Sequence, residues 1–393
     1  MKKTMPRLAG VAIALLLSTT GITSADSVKV GVMYDATGPV SASSVPYAKG
    51  IQAATRWING NDGINGKDIE LLVEDYGYQI PRALSIYKKM RGEGVVAIQG
   101  FGSGDTEALM PSVSKDKLPW FSASYSANLT DPSHAPYNYS VGADYSAQVR
   151  AALKHMSESW TDTTRRPRLA LVYMDNAFGK SVIPAIESYA KELDIDFVGR
   201  EVVNADALEA VGPLTRIRDL NTDFILLQQI ATSFATIVRD ARKLGIDSQV
   251  YGTVWTYDPQ LIEVAGEGAN GVIVVQIAAL SARGLEIEEA VASVAETPAQ
   301  IDDHNFLRGW GSMMVMAEAM RVADAAGNLT GEGIKAALDT GEPFSTGGIL
   351  PPVSYTATDH RSTNSTVLYR LENLEPVLIG PVEVERRDDW LGN

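Results

Sequence analysis

The sequence contains no cysteine. That single absence removes disulfides, thiolate metal sites, cysteine nucleophiles and a lipid-modified N-terminal cysteine together. Positive charge is scarce as well, with 34 Lys and Arg against 48 Asp and Glu and a formal net charge of −14 at pH 7. Lys2, Lys3 and Arg7 precede position 26 in a stretch without an acid, so the remainder is more negative still by three charges. Such a polyanion is repelled by nucleic acid and by an anionic membrane surface, which argues against either as a main partner. Only four histidines occur, His134, His155, His304 and His360. None stands in a metal-ligand spacing or beside a serine in a nucleophile-elbow context, so neither a metalloenzyme nor a hydrolase is supported, and no cofactor is called for. No apolar run reaches the ~20 residues that span a bilayer.

What is present is a chain of 393 residues, 45% hydrophobic and 21% charged, able to bury one or two full cores. Its first 25 residues read as an export signal: a basic start, the apolar run Leu8–Leu17, and Thr23-Ser24-Ala25 as a small-residue cleavage site. The mature chain is then expected to begin at Asp26, outside the cytoplasm.

Beyond Asp26, short β-branched runs alternate with amphipathic stretches. Strands are expected at Val28–Tyr34, Ile69–Asp75 and Val95–Gln99, with helices at Tyr47–Asn59 and Ala83–Arg91. A second series follows: strand Leu169–Met174, helix Lys180–Leu193, strand Phe197–Val203, helix Leu214–Asp219, strand Phe224–Gln228, helix Thr232–Leu244, then strands Gln249–Gly252 and Val272–Gln276. Helices Phe306–Ala326 and Ile334–Leu338 come after it. Strands alternating with helices imply right-handed βαβ units, and two series imply two α/β lobes with parallel sheets. The expected lobes are 26–142 plus 277–365 and 143–276 plus 366–393. The connections near Gly142, Gln276 and Thr366 form the hinge, and a cleft lies between the sheets.

Two glycine motifs suggest phosphate binding and then fail on detail. Gly179-Lys180-Ser181 resembles the end of a phosphate-binding loop, but Met174 stands where the first glycine is needed. Gly100-Phe101-Gly102-Ser103-Gly104-Asp105 sits between a strand and a helix, yet its sixth position is an acid that would face a pyrophosphate. What survives is a tight turn that offers backbone N–H groups and the Ser103 hydroxyl to one anionic or carbonyl oxygen group. The other reading is a turn that merely packs closely. Ser122, Ser124 and Ser126 alternate after Pro119-Trp120-Phe121. Such hydroxyls at a strand's C-terminal end would face the crevice of an open α/β sheet, or belong to an ordinary polar loop.

These residues carry a resemblance to the periplasmic branched-chain amino-acid-binding proteins, the type I solute-binding proteins of ABC importers. It rests on Val28-Lys29-Val30-Gly31-Val32 with Thr37-Gly38-Pro39, on Asn61-Asp62-Gly63-Ile64-Asn65-Gly66-Lys67 leading to Glu74-Asp75, and on Leu118-Pro119-Trp120-Phe121-Ser122-Ala123-Ser124. Asn176-Ala177-Phe178-Gly179 and Arg239-Asp240-Ala241-Arg242-Lys243-Leu244-Gly245 complete it. Order and spacing together make the resemblance specific, and it covers essentially the whole mature chain. It implies a periplasmic protein that hands a small organic ligand to an inner-membrane ABC permease with its ATPase subunits. It also implies a ligand carboxylate held by Phe101, Gly102 and Ser103 and by Ser124, Tyr125 and Ser126, with Phe178 closing from the second lobe. A family tyrosine corresponds to about Ile230, beside Gln229. The family acid that pairs with an amino acid's ammonium falls near Val254, next to Trp255. Without that acid a buried ammonium stays unpaired. A hydrophobic or aromatic carboxylic acid is therefore expected, unless Asp75, Asp144 or Asp258 supplies the charge. An amino-acid binder and a ligand sensor of the same fold are the alternatives.

Overall fold

The computed structural model describes Met1 and residues 27–393, except the side chains of Gln260 and Leu261. The expected signal cleavage site lies outside the described residues. The chain opens with β1 (Ser27–Tyr34), α1 (Ser41–Asn59), β2 (Asp68–Asp75), α2 (Ile80–Gly92), β3 (Ala97–Gly100), α3 (Ser103–Asp116), β4 (Trp120–Ser122) and β5 (Asn138–Tyr139). These strands form one five-stranded parallel sheet in the order β2-β1-β3-β4-β5. The second run is α4 (Tyr145–Ser159), β6 (Arg168–Tyr173), α5 (Ala177–Lys180), α6 (Ile183–Glu192), β7 (Asp196–Val202), α7 (Val211–Asp219), β8 (Phe224–Gln228), α8 (Ala231–Lys243), β9 (Gln249–Gly252), α9 (Pro259–Ala265) and β10 (Ile273–Gln276). Helices α10 (Glu288–Val294), α11 (His304–Ala325) and α12 (Gly331–Leu338) return to the first sheet's side, where α10 and α11 pack on α1 and α12 on α11. The chain ends with β11 (Ser365–Glu372) and β12 (Glu375–Glu383), which complete a seven-stranded sheet β12-β11-β10-β9-β8-β6-β7.

Two α/β lobes with largely parallel sheets are therefore present, with one departure from the expected topology. β11 runs antiparallel to β10 and to β12. The β11–β12 pairing has a local cause: Asn373 and Leu374 both have positive φ, 53° and 70°, the two-residue turn whose twist suits a hairpin. Helix boundaries also shift. α1 begins at Ser41 and carries Pro46 inside it, and the long helix expected over Lys180–Leu193 is divided into α5 and α6, with Pro184 in the first turn of the latter.

Close packing explains several glycines. A Cβ on Gly50 of α1 would overlap the carbonyl of Phe306, and one on Gly309 of α11 would overlap that of Tyr47, so the two helices touch backbone to backbone. α11 is buried on nearly all sides, its polar residues His304, Asn305, Arg308 and Ser312 included, as befits a core helix rather than an amphipathic one. The three passages between the sheets run side by side. The Gly142 N–H donates to the Ser362 hydroxyl (3.0 Å), which donates back to the Gly142 carbonyl (2.9 Å), and a Cβ on Gly142 would press on Ile277.

Candidate functional site

The carboxyl ends of the parallel strands in both sheets point toward one crevice, the place where open α/β sheets bind ligands. Phe101 and Gly102 follow β3, Ala123 follows β4, Phe178 follows β6, Ile230 follows β8 and Trp255 follows β9. With Val40, Ser43, Tyr78, Ser103 and Tyr145 they enclose a cavity of about 20 Å³, the room taken by about one water. A much larger pocket of about 580 Å³ lies at the amino ends of β8, β9 and β10, lined by Phe224, Gln249 and Ile273 among others. It stands at the opposite end of the second sheet from the crevice.

The lobes meet through aromatic rings. Trp255, from the second lobe, lies 5.3 Å from the Phe101 ring and 6.0 Å from that of Tyr125, centroid to centroid. Its indole N–H donates to the Tyr145 hydroxyl at 2.7 Å, and Tyr145 in turn stands edge-on to Phe178 at 5.2 Å. Tyr47 closes the row against Phe101 at 5.7 Å. Rings in these tilted and edge-on arrangements attract beyond their buried area.

Polar groups gather beside Phe101. The Ser103 and Ser124 hydroxyls are 2.7 Å apart, the Ser126 N–H donates to the Ser124 hydroxyl at 3.4 Å, and the Ser126 hydroxyl is buried without a partner. The Gly102 N–H donates to the Tyr76 hydroxyl (3.2 Å), which itself donates to Asp105 Oδ1 (3.0 Å). That amide is therefore used inside the protein. A Cβ on Gly100 would strike the Trp120 ring and one on Gly102 the Asp105 carboxylate, so close packing accounts for both glycines. Asp105 is fully buried, and burial pushes its carboxyl up to about 7 against the opposing hydrogen bond from Tyr76. Its Oδ2 has no partner. In the other glycine motif a Cβ on Gly179 would overlap the Met174 carbonyl, and Lys180 pairs with Asp175 at 2.6 Å. The turn serves the junction of β6 and α5, with no phosphate cradle.

Of the residues singled out from sequence, Phe101, Gly102, Ser103, Phe178 and Trp255 line the cavity, Tyr125 packs on Trp255, and Ser124 bonds to Ser103. The run holding Ser124 and Ser126 is loop, because β4 stops at Ser122. Gln229 does not reach the cavity. Its amide donates to the Val203 carbonyl (3.1 Å) and accepts from the Ser233 hydroxyl (2.7 Å), while Ile230 takes the cavity wall. Val254 is buried, its N–H given to Gln148 Oε1. None of the three acids considered as substitutes lines the cavity. Asp75 accepts from Ala36, Thr37 and Gly77 in surface loops, Asp144 caps α4, and Asp258 lines an open groove with Asp303 and His304. Tyr78, Tyr145 and Arg308 were missed. Tyr145 could have been found, since Asp144 before it is a helix-capping signal.

Arg308 stands behind the ring row. It is 2% exposed, its guanidinium carbon sits 4.0 Å from the Trp255 ring centroid, and one of its amino groups donates to Asn305 Oδ1. Burial lowers its proton affinity.

A cleft between two largely parallel-stranded lobes, lined by rings and by the hydroxyls of Ser43 and Ser103, defines a small-molecule-binding protein of the two-lobed α/β class. The chain belongs to the periplasmic binding protein family, whose model matches residues 27–375. It is 24% identical over 264 residues to the Leu/Ile/Val-binding protein of Escherichia coli (strain K12), covering 67% of this chain and 70% of that protein. It is similar to an ABC transporter substrate-binding protein of Aeropyrum pernix, with TM-score 0.85, 26% identity and coverage of 93% and 98%. A fatty acid ABC transporter substrate-binding protein from Thermomonospora curvata shares the fold at TM-score 0.82 and 21% identity, covering 92% of this chain and 93% of that one. Among the described residues no helix is long and apolar enough to cross a membrane.

Proposed function

We propose that this chain is the periplasmic solute-binding component of an ABC importer, delivering to a permease and its ATPase subunits a hydrophobic or aromatic carboxylic acid held in the interlobe cleft. The observation that carries the ligand class is the cavity wall itself: rings and hydroxyls, with no carboxylate among its lining residues. An ammonium placed there would be desolvated unpaired, at several kcal/mol. The names of the relatives are compatible with ligand binding, one for Leu, Ile and Val and one, an ABC transporter component, for fatty acid, a ligand without an ammonium. Residues near 142, 276 and 366 serve as the hinge in this reading. Ligand contact with both lobes shifts an open–closed equilibrium toward the closed form, and a ligand larger than the present cavity takes the place of ring-to-ring contacts when it enters. The competing reading is an amino-acid binder, favoured by the relatives' names alone.

The matched pair 3-phenylpropanoate and phenylalanine separates them, since the two share a ring and a carboxylate and differ in the amine. By titration calorimetry the des-amino acid binds more tightly if this reading holds, and Trp255→Ala or Phe178→Ala weakens it by ~1–3 kcal/mol through lost apolar contact. Stabilisation by phenylalanine, leucine or valine without any by the des-amino acid refutes it.

A further inference from the structure

We propose that Arg308 makes closure of the cleft depend on an anion, so that the ligand must carry net negative charge. The inference rests on the carboxylate reading above and adds the source of the charge selection. Arg308 belongs to α11 in the first lobe and Trp255 to the second, so the guanidinium is covered by the indole only when the lobes come together. In the closed arrangement its Nε and Nη1 make no close hydrogen bond, the Tyr125 hydroxyl being the neutral side chain that interacts with the guanidinium, and among the described residues no carboxylate oxygen lies within 4 Å of it. The groups facing it are the side chains of Tyr47, Tyr125 and Tyr145 and, farther off, Asp303. Asp303 is already engaged, its Oδ1 accepting from the Asn305 and Phe306 N–H groups at the start of α11. His304, also buried, is held well below its ordinary range by burial and by Arg308 itself, so it brings no counter-charge.

Closing the lobes without a ligand thus removes water from a cation and supplies only ring faces and phenols in exchange. Cation–π contact returns part of that loss, but a buried charge without an ion partner remains unfavourable. An anion in the cavity changes the balance. A ligand whose ring lies on Trp255 and whose carboxylate reaches Ser103 would hold that charge on the order of 8 Å from the guanidinium, where an effective dielectric near 20 makes a unit charge worth about thirtyfold in affinity. A zwitterion brings no net charge and gains little.

The test uses the full mature chain and its Arg308→Met and Arg308→Lys variants, titrated with 3-phenylpropanoate and with the uncharged 3-phenylpropanamide, together with melting in the absence of ligand. Arg308→Met is expected to weaken the carboxylate about thirtyfold and the amide less than threefold, Arg308→Lys to retain most of the carboxylate affinity, and ligand-free Arg308→Met to melt no lower than the parent. Equal losses for carboxylate and amide, no loss for the carboxylate, or a ligand-free Arg308→Met that melts well below the parent or fails to fold would each make Arg308 a packing residue and overturn the proposal. Failure of the parent chain to bind the carboxylate refutes the ligand reading instead, and the ligand-free melt then still decides Arg308: a fall overturns its charge role, a rise supports it.

Discussion

Replacing Asp105 with Asn gives the sharpest check on the electrostatics of the polar groups beside Phe101. Asp105 is 3% exposed, and its carboxyl titrates near 7 rather than at 3.8, chiefly because burial disfavours its charged form, with Asp35 adding to the rise. Between those two values the folded chain holds a proton that the unfolded chain has released. Its contribution is therefore full below about pH 4 and is lost as the pH rises through about 7. Three units at about 1.4 kcal/mol each give on the order of 4 kcal/mol. Asn keeps an acceptor for the Tyr76 hydroxyl and carries no charge, so the variant escapes this loss. Denaturant unfolding of parent and variant at intervals from pH 4 to 8 should show nearly equal stabilities at the acid end. The variant should then gain steadily, by a few kcal/mol at pH 8. Because the difference between two chains is read, the many carboxylates held low elsewhere, such as Asp223 beside Arg165 and Asp359 beside Arg361, cancel. Parallel profiles for the two proteins across this range would refute the reasoning.

The carboxylate seat predicts that Ser103→Ala combined with Ser126→Ala weakens binding of the acid at least about a hundredfold, two charge-assisted hydrogen bonds at ~1.5–3 kcal/mol each, with an unchanged circular dichroism spectrum; an unchanged dissociation constant in calorimetry would remove these hydroxyls from the site. The helix contact predicts that Gly50→Ala lowers stability by ~1–3 kcal/mol or more through overpacking against the Phe306 carbonyl, whereas Gly104→Ala in α3, where the added methyl meets only the Ile80 side chain at 3.5 Å, is neutral or gains up to ~1 kcal/mol; chemical denaturation of the pair measures both.

The alternation of β-branched runs and amphipathic stretches was enough to place β1 to β3 and β6 to β10 within a residue or two, because a strand buried on both faces needs that composition wherever it lies, whereas β4 and β5, three and two residues long, were too short to show it. The hairpin β11–β12 was hidden for the same reason in reverse. It closes an edge, β12 has most of its residues exposed or half-exposed, and the turn that makes it rests on positive φ at Asn373 and Leu374 with no glycine to announce it. The start of α1 also differs: the helix was expected from Tyr47, yet it runs through Pro46 from Ser41, supported by the backbone contact with α11.

The strand-end turn at Phe101 to Ser103 was legible because it follows an expected strand, and a strand's carboxyl end in such a sheet has one destination; Phe178 and Trp255, which also line the cavity, were named through the family resemblance. Gln229 shows the limit of that logic. One residue of displacement turns a side chain to the other face, and Ile230 rather than Gln229 faces the crevice. Arg308 lies beyond it altogether. In sequence it is one polar residue near the start of an alanine- and methionine-rich helix, and helical periodicity would assign it to solvent. Only the double-sided burial of α11, imposed by the glycine contacts with α1 and by a Trp brought from the other lobe, turns it into an internal cation. The absence of an acid near Val254 and the presence of Arg308 were therefore not equally visible, although they bear on the same question. On the proposed reading the missing acid removes the partner of an ammonium and the buried guanidinium asks for the partner of a cation, so two elements far apart in the chain bear on the charge of the ligand in the same direction.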